Sequence, residues 1–231
     1  MAQQQERIAV ISPHLDDGVF SCGQLLALHP GSTVITVFTG VPKPASMRTE
    51  WDKRCGFASA EDAMAQRRQE DRRALTMLRA QPVWMDFIDS QYGDEPVCAN
   101  DIAVSLRLVL RGLGPVPVLL PMGMFHGDHL LVHRACMKAL AALPGYTPLA
   151  YEDALYRAKT GLLQQRLMAL AQEGITATPD PRQAQGGATL KAEAVLAYAS
   201  QLQAFGPGGY VDVLRPERLW RLDIPAGSSA T

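Results

Sequence analysis

Short apolar runs alternate along the chain with longer stretches in which apolar residues recur at helical spacing. Residues 8–11 are an unbroken apolar run, the pattern of a strand buried on both faces, and Leu25 and Leu26 after the small residues Gly18, Ser21 and Gly23 suit a helix packed back on a sheet. The β-branched run 33–38, preceded by Pro30-Gly31-Ser32, predicts a second strand with its turn. Residues 59–79 predict a helix with Ser59 as N-cap and Asp62 at the third helical position. A third strand is expected over 83–88, a helix over 100–113 with Ile102, Leu106, Val109 and Leu113 on one face, and a fourth strand over 116–120. The helix over 130–143 is stopped by Pro144-Gly145. Beyond it, 146–151 and 219–224 read as peripheral strands, 162–171 and 190–205 as helices, and 40–57 and 176–187 as loops.

Four strands alternating with helices argue for an α/β fold: a Rossmann-like, doubly wound, mainly parallel sheet with helices on both faces. A length of 231 residues fits one domain, residues 1–231, with 226–231 a frayed tail. In the common strand order 3-2-1-4-5 the ends of strands one and four face each other across one crevice, where open α/β sheets bind ligands.

Polar clusters sit at those two strand ends. His14, Asp16 and Asp17 follow strand one directly after Pro13; His126, Gly127, Asp128 and His129 follow strand four, and three of the five histidines lie between positions 126 and 133. Alone, the first cluster reads equally well as a turn or helix cap, since Asp is common at both. Together the two clusters supply imidazoles and carboxylates suited to Zn²⁺ with a fourth position left to water. His129 and His133 are four apart, but Leu130 stands where H-E-x-x-H needs Glu, so His133 is expected to be an ordinary helix residue, and His29 surface. By spacing alone, Arg67, Glu70 and Asp71 read as ion pairs on a solvated helix face. Trp51 suits either paving a sugar face or pinning its loop.

Charge and composition narrow the partners. Lys plus Arg number 22 against 23 Asp plus Glu, so no net field favours nucleic acid or an anionic membrane. The four cysteines are widely spaced with no C-x-x-C pair, against a disulfide framework or a cysteine zinc site. Residues 1–7 are polar and no apolar stretch approaches a membrane span, so a cytoplasmic enzyme or binding protein is expected.

The paired clusters resemble the PIG-L/LmbE-like family of zinc-dependent N-acetylglucosaminyl deacetylases, marked by an A-H-P-D-D-like motif after strand one and a later H-P-D-H-like motif. Here they stand as Pro13-His14-Leu15-Asp16-Asp17 and His126-Gly127-Asp128-His129. An R-x-x-E from Arg67 to Glu70, and Lys191, Tyr198, Ser200 and Gln201 in a K-x₆-Y-x-S-Q pattern, agree with it. The resemblance implies that His14, Asp17 and His129 bind one Zn²⁺ or another divalent ion. It further implies that Asp16 is the general base, that His126 is the general acid or steadies the oxyanion, and that Asp128 orients a histidine. Arg67 and Asp89 would contact sugar hydroxyls, displacing the ion-pair reading of Arg67. Leu15, Gly18 and Gly127 replace the family's Pro, Glu and Pro; none is a proposed ligand.

The expected activity is hydrolysis of an N-acetyl or other N-acyl group from an N-acetylglucosamine-type conjugate. The expected partner is that small molecule, in a monomer or a homo-oligomer. Two alternatives stand beside it: a metal-dependent hydrolase of another small amide or ester, and a non-catalytic sugar-binding relative. A nucleotide-binding protein is disfavoured, since no G-x-G-x-x-G follows strand one.

Overall fold

A computed structural model describes residues 6–93, 97–181 and 186–223. Seven strands, β1 (Ala9–Ser12), β2 (Thr33–Phe38), β3 (Gln81–Phe87), β4 (Pro117–Pro121), β5 (Thr147–Tyr151), β6 (Thr176–Pro179) and β7 (Leu219–Asp223), form one sheet in the order β3-β2-β1-β4-β5-β7-β6. The first five are parallel; β7 runs antiparallel to β5 and to β6. β1 pairs with β2 on one side and with β4 on the other, Ala9 opposite Thr33 and Val118. Chain order therefore reverses direction between β1 and β4, and that switch point opens a crevice at the carboxyl ends of the strands.

Alternate side chains of the central strands bury on opposite faces, which is why those strands read as unbroken apolar runs. Ala9, Ile11, Ile35 and Val37 pack with α4 (Ala99–Leu113) and α5 (Gly127–Ala141) through Ile102, Leu106, Val132 and Ala135; α6 (Leu162–Gln172) adds Leu170. Val10, Val34, Leu119 and Leu149 pack on the other face with α1 (Asp17–Leu28), α3 (Ala60–Met77) and α7 (Ala188–Leu196) through Val19, Leu26, Leu75 and Val195. Among the described residues no helix is long and apolar enough to cross a membrane.

Four sequence expectations need correction. The stretch 40–57 is not all loop: it holds α2 (Glu50–Cys55), with a capping box between Thr49 and Asp52 and Gly56 as the left-handed stop, signals too short for periodicity to reveal. The loop expected over 176–187 contains β6, whose mostly exposed edge position needs no apolar run. The helix expected over 190–205 is broken after Leu196 and resumes as α8 (Ala199–Phe205). The two strands read as peripheral are internal: β5 pairs with β4 and β7, and β7 pairs with β5 and β6. Residues 1–5, Asp94, 182–185, Ile224 and the tail 226–231 lie outside the described residues.

The break between α7 and α8 frees side chains that tie the C-terminal helices to the rest. Tyr198 donates its hydroxyl to Asp71 Oδ1 at 2.8 Å, and Ser200 gives its amide and hydroxyl to Glu70 at 2.9 and 2.6 Å. Lys191, fully buried, pairs with Glu217 at 2.8 Å, and Glu217 accepts the amides of Gln24 and Leu25 at 2.7 and 3.0 Å, where α1 kinks at Cys22. A Cβ on Gly23 would lie 2.8 Å from Lys191 Cγ, so glycine is what admits the lysine stem.

Asp71 gives this buried network a pH dependence. Burial pushes its carboxyl up to about 7, against the hydrogen bonds donated by Trp84 and Tyr198 that favour its charged form. The unfolded chain ionises the same group near about 4, so its contribution is fully present below that pH and is lost as pH rises through about 7. In urea titrations of wild type and Asp71→Asn, the difference in unfolding free energy is expected to shift in the variant's favour between pH 4 and 7, by up to about 1.4 kcal/mol per pH unit. A pH-independent difference would show that Asp71 is ionised in the fold.

Candidate active site

The loop after β1 is braced so that its acids and imidazole turn into the crevice. Ser12 Oγ donates to the His14 carbonyl at 2.5 Å and accepts from the Gly18 amide at 2.8 Å, crossing the turn. Asp17 opens α1, and its Oδ2 accepts from the His14 amide at 2.9 Å. The same oxygen lies 3.0 Å from His14 Nδ1 and 3.2 Å from His129 Nε2. His129 reaches it from the far side of the crevice, in the first turn of α5. That helix starts three residues earlier than its apolar periodicity indicates, because His126 caps it: His126 Nδ1 accepts from the Asp128 amide at 3.2 Å.

A carboxylate holds the far nitrogen of each facing imidazole. His129 Nδ1 is 2.6 Å from Asp153 Oδ1, while Asp153 Oδ2 accepts the amides of Gly123 and Met124 at 3.0 and 3.2 Å. His14 Nε2 is 3.1 Å from Asp128 Oδ2 and 3.8 Å from Asp89 Oδ2. Asp128 Oδ2 also accepts from the Ser90 amide at 3.3 Å and its hydroxyl at 3.0 Å. Among the described residues, His129 Nε2 is a buried atom with no hydrogen-bond partner. A buried imidazole nitrogen facing a carboxylate oxygen, with its other nitrogen fixed, is what a metal ligand presents.

Two sets of side chains among the described residues bring ligand atoms within 4.8 Å of one another: His14, Asp17 and His129, and His14, His126 and Asp128. The donor set of imidazole and carboxylate fits a borderline-hard divalent cation such as zinc. His133 lies outside both. Its Nδ1 bonds to the Pro121 carbonyl at 2.8 Å, and burial pulls its pKa down to about 3.

The acids and bases differ in charge preference. Asp16 takes no side-chain hydrogen bond among the described residues; burial, then the neighbouring Asp17, pushes its carboxyl up to about 6 against the pull of Arg67. Burial would also raise Asp17, but the His129 and His14 imidazoles hold it well below the usual carboxylate range. Against burial, Asp17 and then Asp153 push His129 up to about 9, and Asp89, Asp128 and Asp17 hold His14 well above its ordinary value. His126 is lowered, by burial and then by His14 and His129. Five carboxylates, Asp16, Asp17, Asp89, Asp128 and Asp153, around the imidazoles of His14 and His129 form a cluster that prefers a positive charge among them, whether protons or a cation.

A cavity of about 300 Å³ opens over these groups, lined by His14, Asp16, Asp17, His126, Arg67 and Asp89, with Trp51, Gln91, Tyr156 and Gln201 at its walls. Arg67 is 4% exposed, with Nη1 4.0 Å from Asp89 Oδ2 and Nε without a partner among the described residues. The solvated ion-pair reading of Arg67, Glu70 and Asp71 therefore fails: all three are buried, and Glu70 and Asp71 bond to the C-terminal helices instead. Trp51 lines the cavity, and its Nε1 donates to Gln201 at 3.0 Å, which pins its segment to the C-terminal helix α8. Sequence reasoning missed Asp153, Gln91, Ser90 and Tyr156. The sequence does carry a signal for Asp153, an acid just after an apolar run, but nothing local marks that run as an internal strand.

A mainly parallel α/β sheet with a His/Asp crevice at its switch point has the architecture of a ligand-binding α/β protein with a candidate metal site. Residues 9–140 match the family model described as PIG-L: GlcNAc-PI de-N-acetylase, and the chain belongs to that family. The chain is 31% identical over 170 residues to the 2'-N-acetylparomamine deacetylase of Streptomyces fradiae, a match covering 65% of this chain and 57% of the relative's length. It superposes on the crystal structure of the A40926 pseudoaglycone deacetylase Dbv21 with a TM-score of 0.73 at 25% identity, covering 95% of this chain and 98% of that one. The zinc-inhibited form of the teicoplanin deacetylase Orf2 shares the fold at a TM-score of 0.76 and 23% identity, covering 96% and 100%.

Asp153→Asn retains the shape of the buried side chain but weakens its hold on His129. The affinity for Zn²⁺, read by competition with a chromophoric chelator, is expected to fall about 10- to 100-fold. Unchanged affinity would mean that Asp153 does not tune a metal ligand.

Proposed function

We propose that the chain is a zinc-dependent N-deacylase, working as one unit over residues 1–231 and releasing acetate from an N-acetylated amino sugar carried on a larger scaffold. The observation that carries this reading is Asp17 Oδ2, 3.0 Å from His14 Nδ1 and 3.2 Å from His129 Nε2. The far nitrogens of those rings are held by Asp128 and Asp153. His14, Asp17 and His129 hold the ion. The set with His126 and Asp128 is less suited, because Asp128 Oδ2 is already shared by His14 and two donors of Ser90.

When bound, the ion supplies Lewis-acid polarisation of the amide carbonyl and a water acidified to a pKa of about 7, as in well-built zinc sites. Asp16 takes the proton of the attacking water, free for that task because its carboxylate takes no hydrogen bond among the described residues. The water oxygen bonds to the carbonyl carbon, the carbon–nitrogen bond breaks, and the proton passes to the departing amine. His126 Nδ1 accepts a backbone hydrogen bond, so in the neutral ring, which burial favours, Nε2 carries the proton. That N–H steadies the developing oxyanion. Arg67 and Asp89, buried in the lining of the cavity, orient sugar hydroxyls.

The deacetylase names of the relatives support the N-acetyl substrate class. The Asp16 and His126 placement favours turnover over the non-catalytic sugar-binding alternative. With a panel of N-acetylamino-sugar conjugates, zinc-loaded protein is expected to release acetate at about one metal per chain. Asp16→Asn is expected to lower kcat by about 10²- to 10⁴-fold with metal content unchanged. Full activity in that variant would remove Asp16 from the mechanism, and turnover of esters alone would favour the alternative hydrolase.

A further inference from the structure

Of the three non-glycine residues that adopt a positive φ among the described residues, two adjoin Tyr156: Leu155 at φ 71° precedes it in the chain, and Phe125 at φ 65° packs against its ring. Left-handed backbone at a bulky residue costs on the order of 1 kcal/mol or more and persists only where surrounding contacts impose it. The contacts are visible. The Leu155 amide donates to Asp212 Oδ2 at 2.9 Å, and Arg157 donates through Nε to the same carboxylate at 2.8 Å and through Nη2 to the Asp212 carbonyl at 2.8 Å. The Ala154 amide donates to Ser21 Oγ at 3.1 Å, tying the start of the segment to α1.

What this clamp holds in place is Tyr156. Its ring packs edge-on against His129 with centroids 5.2 Å apart and lies nearly parallel to His126 at 6.4 Å. Phe125 backs it at 5.3 Å. The residue lines the cavity, and its hydroxyl makes no hydrogen bond to any described residue. At neutral pH a tyrosine phenol keeps its proton and can donate a hydrogen bond. The other neutral donors lining the cavity are engaged, Gln91 Nε2 with Asp89, Trp51 Nε1 with Gln201 and Gln201 Nε2 with Ser200, whereas His126 Nε2 makes no hydrogen bond among the described residues.

We propose that Tyr156 is a further catalytic residue, its hydroxyl donating a hydrogen bond to the acyl oxygen of the substrate as that oxygen gains negative charge. This rests on the deacylation reading above. No proton is transferred; the phenol pairs with His126 as a second donor, and the strained segment fixes the donor before the charge develops.

Tyr156→Phe keeps the ring that packs on both histidines and removes only the donor. With zinc-loaded protein and an N-acetylamino-sugar conjugate, kcat is expected to fall about 10- to 100-fold, less than the loss of a sole oxyanion donor. KM and metal content are expected to stay near wild type. Acetate, titrated calorimetrically as the product carrying the same oxygen, is expected to bind several-fold more weakly to the variant. Wild-type values of kcat and acetate affinity in Tyr156→Phe would overturn the proposal, as would a loss carried by KM alone or by loss of metal. If the wild type turns over no N-acyl substrate, the deacylation reading fails, and acetate binding alone decides on Tyr156. Equal affinities, or no binding to either protein, overturn it.

Discussion

One carboxylate oxygen, Asp17 Oδ2, organises the crevice. It sits within 3.2 Å of the imidazole nitrogens of His14 and His129, 115 residues apart in sequence, while accepting the His14 amide at 2.9 Å. Bringing Asp16, Asp17, Asp89, Asp128 and Asp153 into a low-dielectric cleft would be prohibitive without compensating positive charge. His14, His129 and Arg67 supply part of it, which is why Asp17 is held ionised while Asp16, farther from the imidazoles' hydrogen bonds, is pushed up to about 6. Adjacent residues thus acquire opposite character from geometry alone. The proposed division between Asp17 as ligand and Asp16 as base rests on that difference rather than on residue type.

The rest of the molecule serves to keep the two segments in register. β1 and β4 are neighbours in the sheet, so their carboxyl ends deliver the two clusters to one place. β5 lies beside β4 and delivers Asp153 to the back of His129. The kinked α1 is held by the buried Lys191–Glu217 pair, and α8 closes the remaining side by bonding Glu70 of α3 through Ser200 and Trp51 of α2 through Gln201. Residues distant in sequence from both clusters therefore set the walls of the cavity without lying next to the imidazoles.

The fold and half of the site were legible because both depend on local pattern. Unbroken apolar runs marked β1, β2 and β4, and polar residues directly after them marked the crevice; the strand order then brought His14, Asp17, His126 and His129 together as the α/β rules require. What stayed hidden depends on contacts that no local pattern carries. Asp153 is recognisable as a site residue only once β5 is known to be internal. Arg67, Glu70 and Asp71 have the spacing of a solvated charge stripe, and only the burial of α3 under α7 and α8 shows otherwise. Tyr156 follows no strand end; its placement comes from a left-handed residue at Leu155, a conformation that leucine itself does not announce.

The central claim is that His14, Asp17 and His129 share a single divalent ion. Anomalous diffraction at the zinc edge from crystals of the zinc-loaded protein tests it most directly. The account predicts one strong peak within about 2.0–2.2 Å of His14 Nδ1, Asp17 Oδ2 and His129 Nε2. A peak bound instead by His126 and Asp128, or crystals whose crevice binds no metal while those three side chains stay in place, would contradict it.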